Sequence, residues 1–235
     1  LNTQSQSGRE FKRRVCVLLK SADFDRSLEE ILQFPARRVI NPLFSFLYNS
    51  DEQIRWRTIT AMGAVVAKLA DEDMESARVI MRRLMWNLND ESGGIGWGSP
   101  EAMGEILACN ETLAKEYAHI LISYIREEGN FQGHKLMQRS VLWGIGRLSQ
   151  VRPELVKGSV PYLLPYLKSR DDSARGLAAW AMGYLGPEEA GEGFEFLTKD
   201  DADFQIYIDR RSVKHKEKAL AKESLEKLHL SFNDG

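Results

Sequence analysis

Metal-binding side chains are scarce in this chain. It has four His and two Cys among 235 residues. Cys16 and Cys109 show no C-x-x-C spacing and sit near no histidine cluster, so no metal, zinc included, is expected. The simplest setting for two unpaired thiols is a reducing cytoplasm. His119 and His134 stand alone and read as structural or exposed. No G-K-[ST] follows a glycine run, which excludes a Walker loop. No Ser-His-Asp or Cys-His order suggests a nucleophilic enzyme. Apolar runs all fall short of a membrane span. The opening LNTQSQSG is polar and does not read as a signal peptide; residues 1–8 are expected to be a disordered tail or a remnant of protein production. Charge of one sign is lacking as well, with 32 basic against 34 acidic residues and a net −2. Nucleic acid is therefore not an expected partner, and RRVCVLLK and RRSVKHKEK read as solvated faces. No cofactor is called for.

What the chain does have is repetition. Four blocks align: TAMGAVVA, EAMGEILA, WGIGRLSQ and AWAMGYLG. Their shared glycines are Gly63, Gly104, Gly146 and Gly183, spaced by 41, 42 and 37 residues. Leu47, Leu88 and Leu167 each precede their glycine by 16 residues, whereas Ile125 precedes Gly146 by 21. That difference implies a five-residue insertion in EEGNFQGH. Each unit reads as a first helix, a turn rich in Asn, Asp, Ser and Gly, and a second helix carrying the glycine. First-helix candidates are INPLFSFLY, SARVIMRRLMWNL, AKEYAHILISYI and VPYLLPYL. Arg82 and Arg83 fall on one of these, within reach of Asp90 or Glu91. FKRRVCVLLK and DRSLEEILQF form an irregular helical cap, and near the other end FQIYID alternates as a strand, RRS turns, and VKHKE returns before the helical KALAKESLEKL.

A period near 40 with two helices per unit is the signature of HEAT and armadillo repeats. Asp51 and Arg55, like Asp171 and Arg175, stand four apart at the turn, which resembles the D-x-x-V-R pattern of HEAT-like repeats. That resemblance implies an Asp–Arg ladder between units. RGLAAWAMGYLG is similar to the short HEAT-like units of bilin lyases. Over about residues 10–230 the chain resembles prokaryotic HEAT-like proteins, mostly without assigned function, and RRLMWNLNDESGGIGWGSPEAMGEI is the most specific block. The expected fold is all-α, an α-α superhelix of the HEAT/armadillo-like right-handed kind with a small C-terminal β-hairpin. Residues 9–235 are expected to form one repeat domain, with a cap at 9–35, repeats at about 36–73, 74–112, 113–153 and 154–187, and a C-terminal cap at 188–235.

The stretch NDESGGIGWGSPEAMG aligns with the turn and second-helix start of the second repeat. It lacks the spacing of a dinucleotide fingerprint, and no strand precedes it. Ser99-Pro100-Glu101 reads as a helix opening, with Ser99 as the cap. Gly93, Gly94, Gly96 and Gly98 allow close backbone approach or positive φ. Two uses fit: a turn in which side chains would clash with a neighbouring repeat, or a loop whose N–H groups contact an anionic ligand.

Helical phase divides each second helix. Thr58, Ile59, Met62 and Val65 share one stripe, as do Ser99, Pro100, Met103 and Ile106, then Val141, Leu142, Ile145 and Leu148, then Ala178, Ala179, Met182 and Leu185. These are expected core. The opposite side carries Trp56, Trp97, Glu101, Glu105, Arg139, Trp143, Arg147, Trp180 and Tyr184, including four of the five tryptophans. In HEAT-like stacks the second helix lines the concave surface, so the resemblance makes these residues a candidate binding face, although each Trp could instead wedge between helices as core. The expected function is a non-enzymatic scaffold gripping a protein or peptide. Two alternatives rank below it. Trp97, Glu101, Glu105, Arg139, Trp143 and Trp180 resemble the groove of HEAT-like DNA glycosylases, but the chain is not basic enough to grip phosphates. An aromatic pocket for a bilin-like small molecule is the other.

Overall fold

A computed structural model describes residues 7–89, 96–186 and 191–233. The chain packs as two compact units, Leu1–Ala102 and Met103–Gly235.

The first unit holds α1 (Gly8–Lys20), α2 (Phe24–Leu32), α3 (Ala36–Phe46), α4 (Glu52–Glu72) and α5 (Met74–Asn89). Polar residues start these helices by satisfying N–H groups that lack intrahelical acceptors. Ser7 and Glu10 form a reciprocal capping box on α1. Asp23 accepts from Arg26 at the start of α2, and Asp51 accepts from Gln53 and Ile54 at the start of α4. Phe11, Leu19, Ile31, Leu43, Leu47, Ile59, Met62, Met81 and Leu84 fill the core. Arginines lie over its aromatic rim: Arg38 is 4.4 Å from the Phe11 centroid and Arg83 is 3.8 Å from that of Phe44. Arg57 donates to the carbonyls of Leu19 and Ser21, at the negative end of α1. Arg82 pairs with Glu75 of its own helix and Arg83 with Asn41 of α3. Asp90 and Glu91, their expected partners, lie outside the described residues.

The second unit contains the C-terminal part of α6 (Ser99–Cys109), then α7 (Glu111–Ser123), α8 (Lys135–Val151), α9 (Pro153–Val156), α10 (Val160–Leu163), α11 (Asp172–Leu185), α12 (Gly191–Leu197) and α13 (Glu217–Asn233). Between α12 and α13 lies the hairpin β1 (Asp203–Ile208) and β2 (Arg211–Lys216), antiparallel with Ile206 opposite Val213. Its turn is Asp209-Arg210, both at positive φ, as a two-residue hairpin turn demands. The expected first helix VPYLLPYL is broken into α10 and a 3-10 turn, Leu164–Lys168. Pro161 and Pro165 lack the N–H that a continuous helix would bond. The α7–α8 connection spans 124–134, where the insertion is expected.

The core stripes fall as helical phase predicts except at Leu185, which is half-buried at the end of α11. Ile59, Met62, Met103, Ile106, Val141, Leu142, Ile145, Leu148, Ala178, Ala179 and Met182 are all fully buried. Ser99 is the exception in chemistry. It begins α6 and is buried, but its hydroxyl makes no hydrogen bond, so it does not cap through its side chain.

Two of the repeated glycines, Gly104 and Gly146, permit close contact between successive second helices. A Cβ on Gly104 would stand 2.4 Å from the Gly144 Cα, and one on Gly146 would stand 2.2 Å from the Trp180 ring. Gly146→Ala should therefore cost about 1–3 kcal/mol, the range for overpacking a core. Gly158→Ala is the matched control, because nothing lies within 4 Å of its added Cβ. Urea denaturation should place Gly158→Ala at or slightly above the wild type. Equal stability of the two variants would mean that α8 and α11 do not approach as closely as described.

Candidate functional site

Gly96 and Gly98 are buried, and each has a steric reason to be glycine. Gly98 has φ +76°, and its Cβ would press on Leu47 at 3.1 Å. A Cβ on Gly96 would meet the Asn87 carbonyl oxygen at 2.7 Å. Gly93 and Gly94 lie outside the described residues.

The candidate face does not stand open as a row of aromatics. Trp143 and Trp180 are each only 4% exposed, and Glu101 and Glu105 are buried too. Trp56 and Trp97 are half-buried, with Trp56 donating to Glu52 at 3.2 Å. The expectation that Trp143 faces an accessible groove is thus corrected. Its indole N–H donates to the Tyr207 carbonyl of β1 at 3.0 Å, and its ring lies 6.5 Å from that of Trp180. Trp180 in turn fills the space that Gly146 leaves. Trp143 and Trp180 are inaccessible because Gly146 on α8 admits Trp180 of α11, and the hairpin lies against α8 and α11. Phe204 of β1 sits where a Gly176 side chain would be, 2.5 Å from its Cβ position.

Two ion-pair nodes hold this arrangement. Arg139 on α8 grips Asp171, the cap of α11, with its Nε 3.0 and 2.9 Å from the two carboxylate oxygens and a further nitrogen at 2.8 Å. Burial works against the Asp171 charge, but the Arg139 hydrogen bonds and the Ala174 N–H hold its carboxyl below the ordinary value. The Asp–Arg ladder therefore takes an unexpected form. Asp171 pairs back to Arg139, while Arg175 reaches Glu217 at 3.0 Å, Asp200 at 2.8 Å and Asp172 at 2.9 Å. Arg175 thus clamps the start of α13 to α11. Sequence reasoning missed this node and the Phe204 and Tyr207 contacts. The alternation of FQIYID could have indicated that one hairpin face needs a landing surface.

A polar row runs across α6, α8 and α11 from buried Glu105, through half-buried Arg147 and Gln150, to exposed Tyr184. Arg147 donates to Glu105 at 2.7 Å and to Gln150 at 3.3 Å, and Gln150 donates to the Tyr184 hydroxyl at 3.3 Å. Tyr184 is 40% exposed and also meets Trp180 edge-on at 6.2 Å. Burial opposes the Arg147 charge, yet the Glu105 contact raises its pKa and keeps it protonated. Cys109 is exposed as a residue, and its thiol donates to Glu105 at 3.8 Å; the protein packed against the sulfur, then Glu105, pushes its pKa up to about 12. Such a thiol is a poor nucleophile. Among the described residues, no group of three or more His, Cys, Asp or Glu is placed to hold a metal ion. None of the described helices is long and apolar enough to cross a membrane. The glycosylase-like set loses its stacking platform, since Trp143 and Trp180 are packed against protein.

Comparison with known proteins places this geometry. Residues 136–185 match the family model of the HEAT-like repeat. An uncharacterized protein of Archaeoglobus fulgidus is 27% identical over 151 residues, covering 62% of this chain and 74% of its own length. Among solved structures, an engineered protein aligns with TM-score 0.55 at 15% identity, over 94% of this chain and 96% of its own. A designed armadillo repeat protein in complex with the peptide (KR)4 aligns with TM-score 0.54 at 14% identity, over 93% and 99%. These likenesses establish the fold: a HEAT/armadillo-like helical repeat.

Two predictions follow from the packing. Trp143→Ala should lose about 3–5 kcal/mol, as for a core aromatic, and Trp143→Phe should lose about 1–2 kcal/mol by leaving the Tyr207 carbonyl without its donor. A silent Trp143→Ala in urea melts would return Trp143 to the surface. The second concerns Glu217, which is fully buried, with one carboxylate oxygen on Arg175 and the other without a hydrogen bond. Burial, against the pull of Arg175, raises its pKa from 4.5 to about 7. Between those values the folded protein holds a proton that the unfolded chain releases, so stability should fall as pH rises through that window. Glu217→Gln should remove that part of the slope, and parallel pH profiles for the two proteins would assign it elsewhere.

Proposed function

We propose that this protein is a non-enzymatic scaffold that binds a protein or peptide partner through the second-helix face of its repeats. The observation that carries the reading is the row Glu105, Arg147, Gln150 and Tyr184. It joins three successive second helices, α6, α8 and α11: buried Glu105 anchors the half-buried Arg147, which leads through Gln150 to the exposed Tyr184. Arg and Tyr are residue types that dominate binding energy when a partner desolvates them. Their geometry here is fixed before binding, which lowers the ordering cost of association. Structural neighbours support the reading by analogy. One designed armadillo protein was solved with the peptide (KR)4, and another was designed for modular peptide recognition. Trp143 and Trp180 enter this reading as support for the row rather than as contacts.

The test begins with affinity capture from an extract of the native cells, followed by measurement with the purified partner. Tyr184→Ala should weaken binding by about 2 kcal/mol or more, about thirtyfold, with an unchanged melting temperature. Lys115→Ala on α7, an exposed residue paired with Glu111 on its own helix, should leave affinity unaltered. A partner that ignores Tyr184→Ala and Gln150→Ala alike would remove the row from the interface.

A further inference from the structure

The insertion in the third repeat builds one wall of a cleft. Residues 124–134 face the proline-broken segment that carries α10 and the following 3-10 turn, and between them lies an open space of about 510 Å³. Its lining includes Glu127, Glu128, Phe131, Tyr162, Tyr166 and Gln138. Pro161 and Pro165 complete the wall beneath the two tyrosines. The row of the proposed scaffold contributes none of these residues, so the two sites stand or fall separately.

The lining is suited to a cation. Aromatic rings present negative faces, and carboxylates supply full charge. The chain itself uses this chemistry at the rim. Arg126 lies 5.1 Å from the Tyr162 ring centroid and pairs with Glu128 at 3.4 Å. That pair consumes one carboxylate and one ring. Glu127, Tyr166 and the exposed Phe131 remain, and among the described residues no cation pairs with Glu127. Burial, then the nearby Glu127, makes the Tyr166 phenol harder to ionise, so it stays neutral and available as a donor.

The cleft is also preformed. Gly129 donates to the Arg126 carbonyl at 2.9 Å, and Gln132 donates to that of Tyr124 at 3.0 Å. The Asn130 amide holds the Ser123 hydroxyl at 3.0 Å. Proline fixes φ in the opposite wall. Little conformational freedom is left to lose on binding.

We propose that this cleft receives an arginine or lysine side chain from a basic peptide segment, with its cation between Glu127 and the Tyr166 and Phe131 rings. An extended peptide fits better than a free amine. The cleft is open and several times larger than one guanidinium, and its proline and ring surface can hold the flanking backbone.

The experiment uses the full chain and fluorescence anisotropy of fluorescein-labelled (Gly-Arg)4, with labelled (Gly-Glu)4 as the opposite charge. Saturable binding of the basic peptide and none of the acidic one is expected. Glu127→Gln and Tyr166→Leu should each weaken it about fivefold, the scale of one exposed cation–π or ion-pair contact. Glu154→Gln removes the same charge from another exposed site and should change affinity less than twofold. If Tyr166→Leu unfolds, the exposed Glu127→Gln decides alone. The proposal is overturned by three results: no saturable binding, equal losses in Glu127→Gln and Glu154→Gln, or unlabelled agmatine displacing the peptide at equal concentration, which would make this a small-amine site.

Discussion

The contact between Trp180 and Gly146 governs the second unit. An indole ring cannot approach a helix this closely unless the facing residue has no side chain, and Gly146 provides that gap. With Trp180 seated, α8 and α11 lie close enough for Arg139 to reach both oxygens of Asp171. The same closeness brings Trp143 beside Trp180 and leaves its indole N–H pointing away from the helical layer. A buried donor needs an acceptor, and the Tyr207 carbonyl supplies it. The hairpin is therefore part of the repeat packing, because it satisfies a group that the helices alone would leave orphaned.

This dependence explains which features could be read from the sequence. The glycine register located all four second helices, and the 3.6-residue period located their core stripes, since both are local properties of one helix. The hairpin was legible from the alternation of FQIYID, and the five-residue insertion from the shift of Ile125 against Leu47 and Leu167. Accessibility was not legible. Whether Trp143 is free depends on Tyr207, which lies 64 residues later, and no period within α8 encodes that. The apolar pattern of VPYLLPYL reads as one helix, whereas Pro161 and Pro165 within it each remove an N–H that a continuous helix needs. The atoms that crowd Gly98 and Gly96 belong to Leu47 and Asn87, which no pattern within the turn itself encodes.

Electrostatics reinforces the same elements at few, well-chosen points. Asp171 works twice: it caps α11 through the Ala174 N–H and receives Arg139. Arg175, one turn later, is turned toward the C-terminal segment instead and gathers Asp172, Asp200 and Glu217. Burial is what most opposes the ionisation of Glu217, and the charges of Asp200 and Asp172 add to it while Arg175 works against it. Of the second Asp–Arg pair, Asp171 thus ties α11 to α8, while Arg175 ties it to Asp200 and to the start of α13.

The packing also shifts where recognition can occur. A second helix buried on its core side, sealed by its neighbours and covered by a hairpin has little area left for a partner. In the second unit that remainder is the line Arg147, Gln150 and Tyr184, polar and partly satisfied within itself. A partner there must compete with existing hydrogen bonds, which favours specificity over raw affinity. The insertion loop works under the opposite condition. Its residues 127–131 are exposed, its backbone is already tied to α7, and its carboxylates and rings are not needed to hold the helices together. Sequence change in that loop costs the fold little. Surfaces freed from packing in this way are where a repeat scaffold can acquire binding chemistry without disturbing its core.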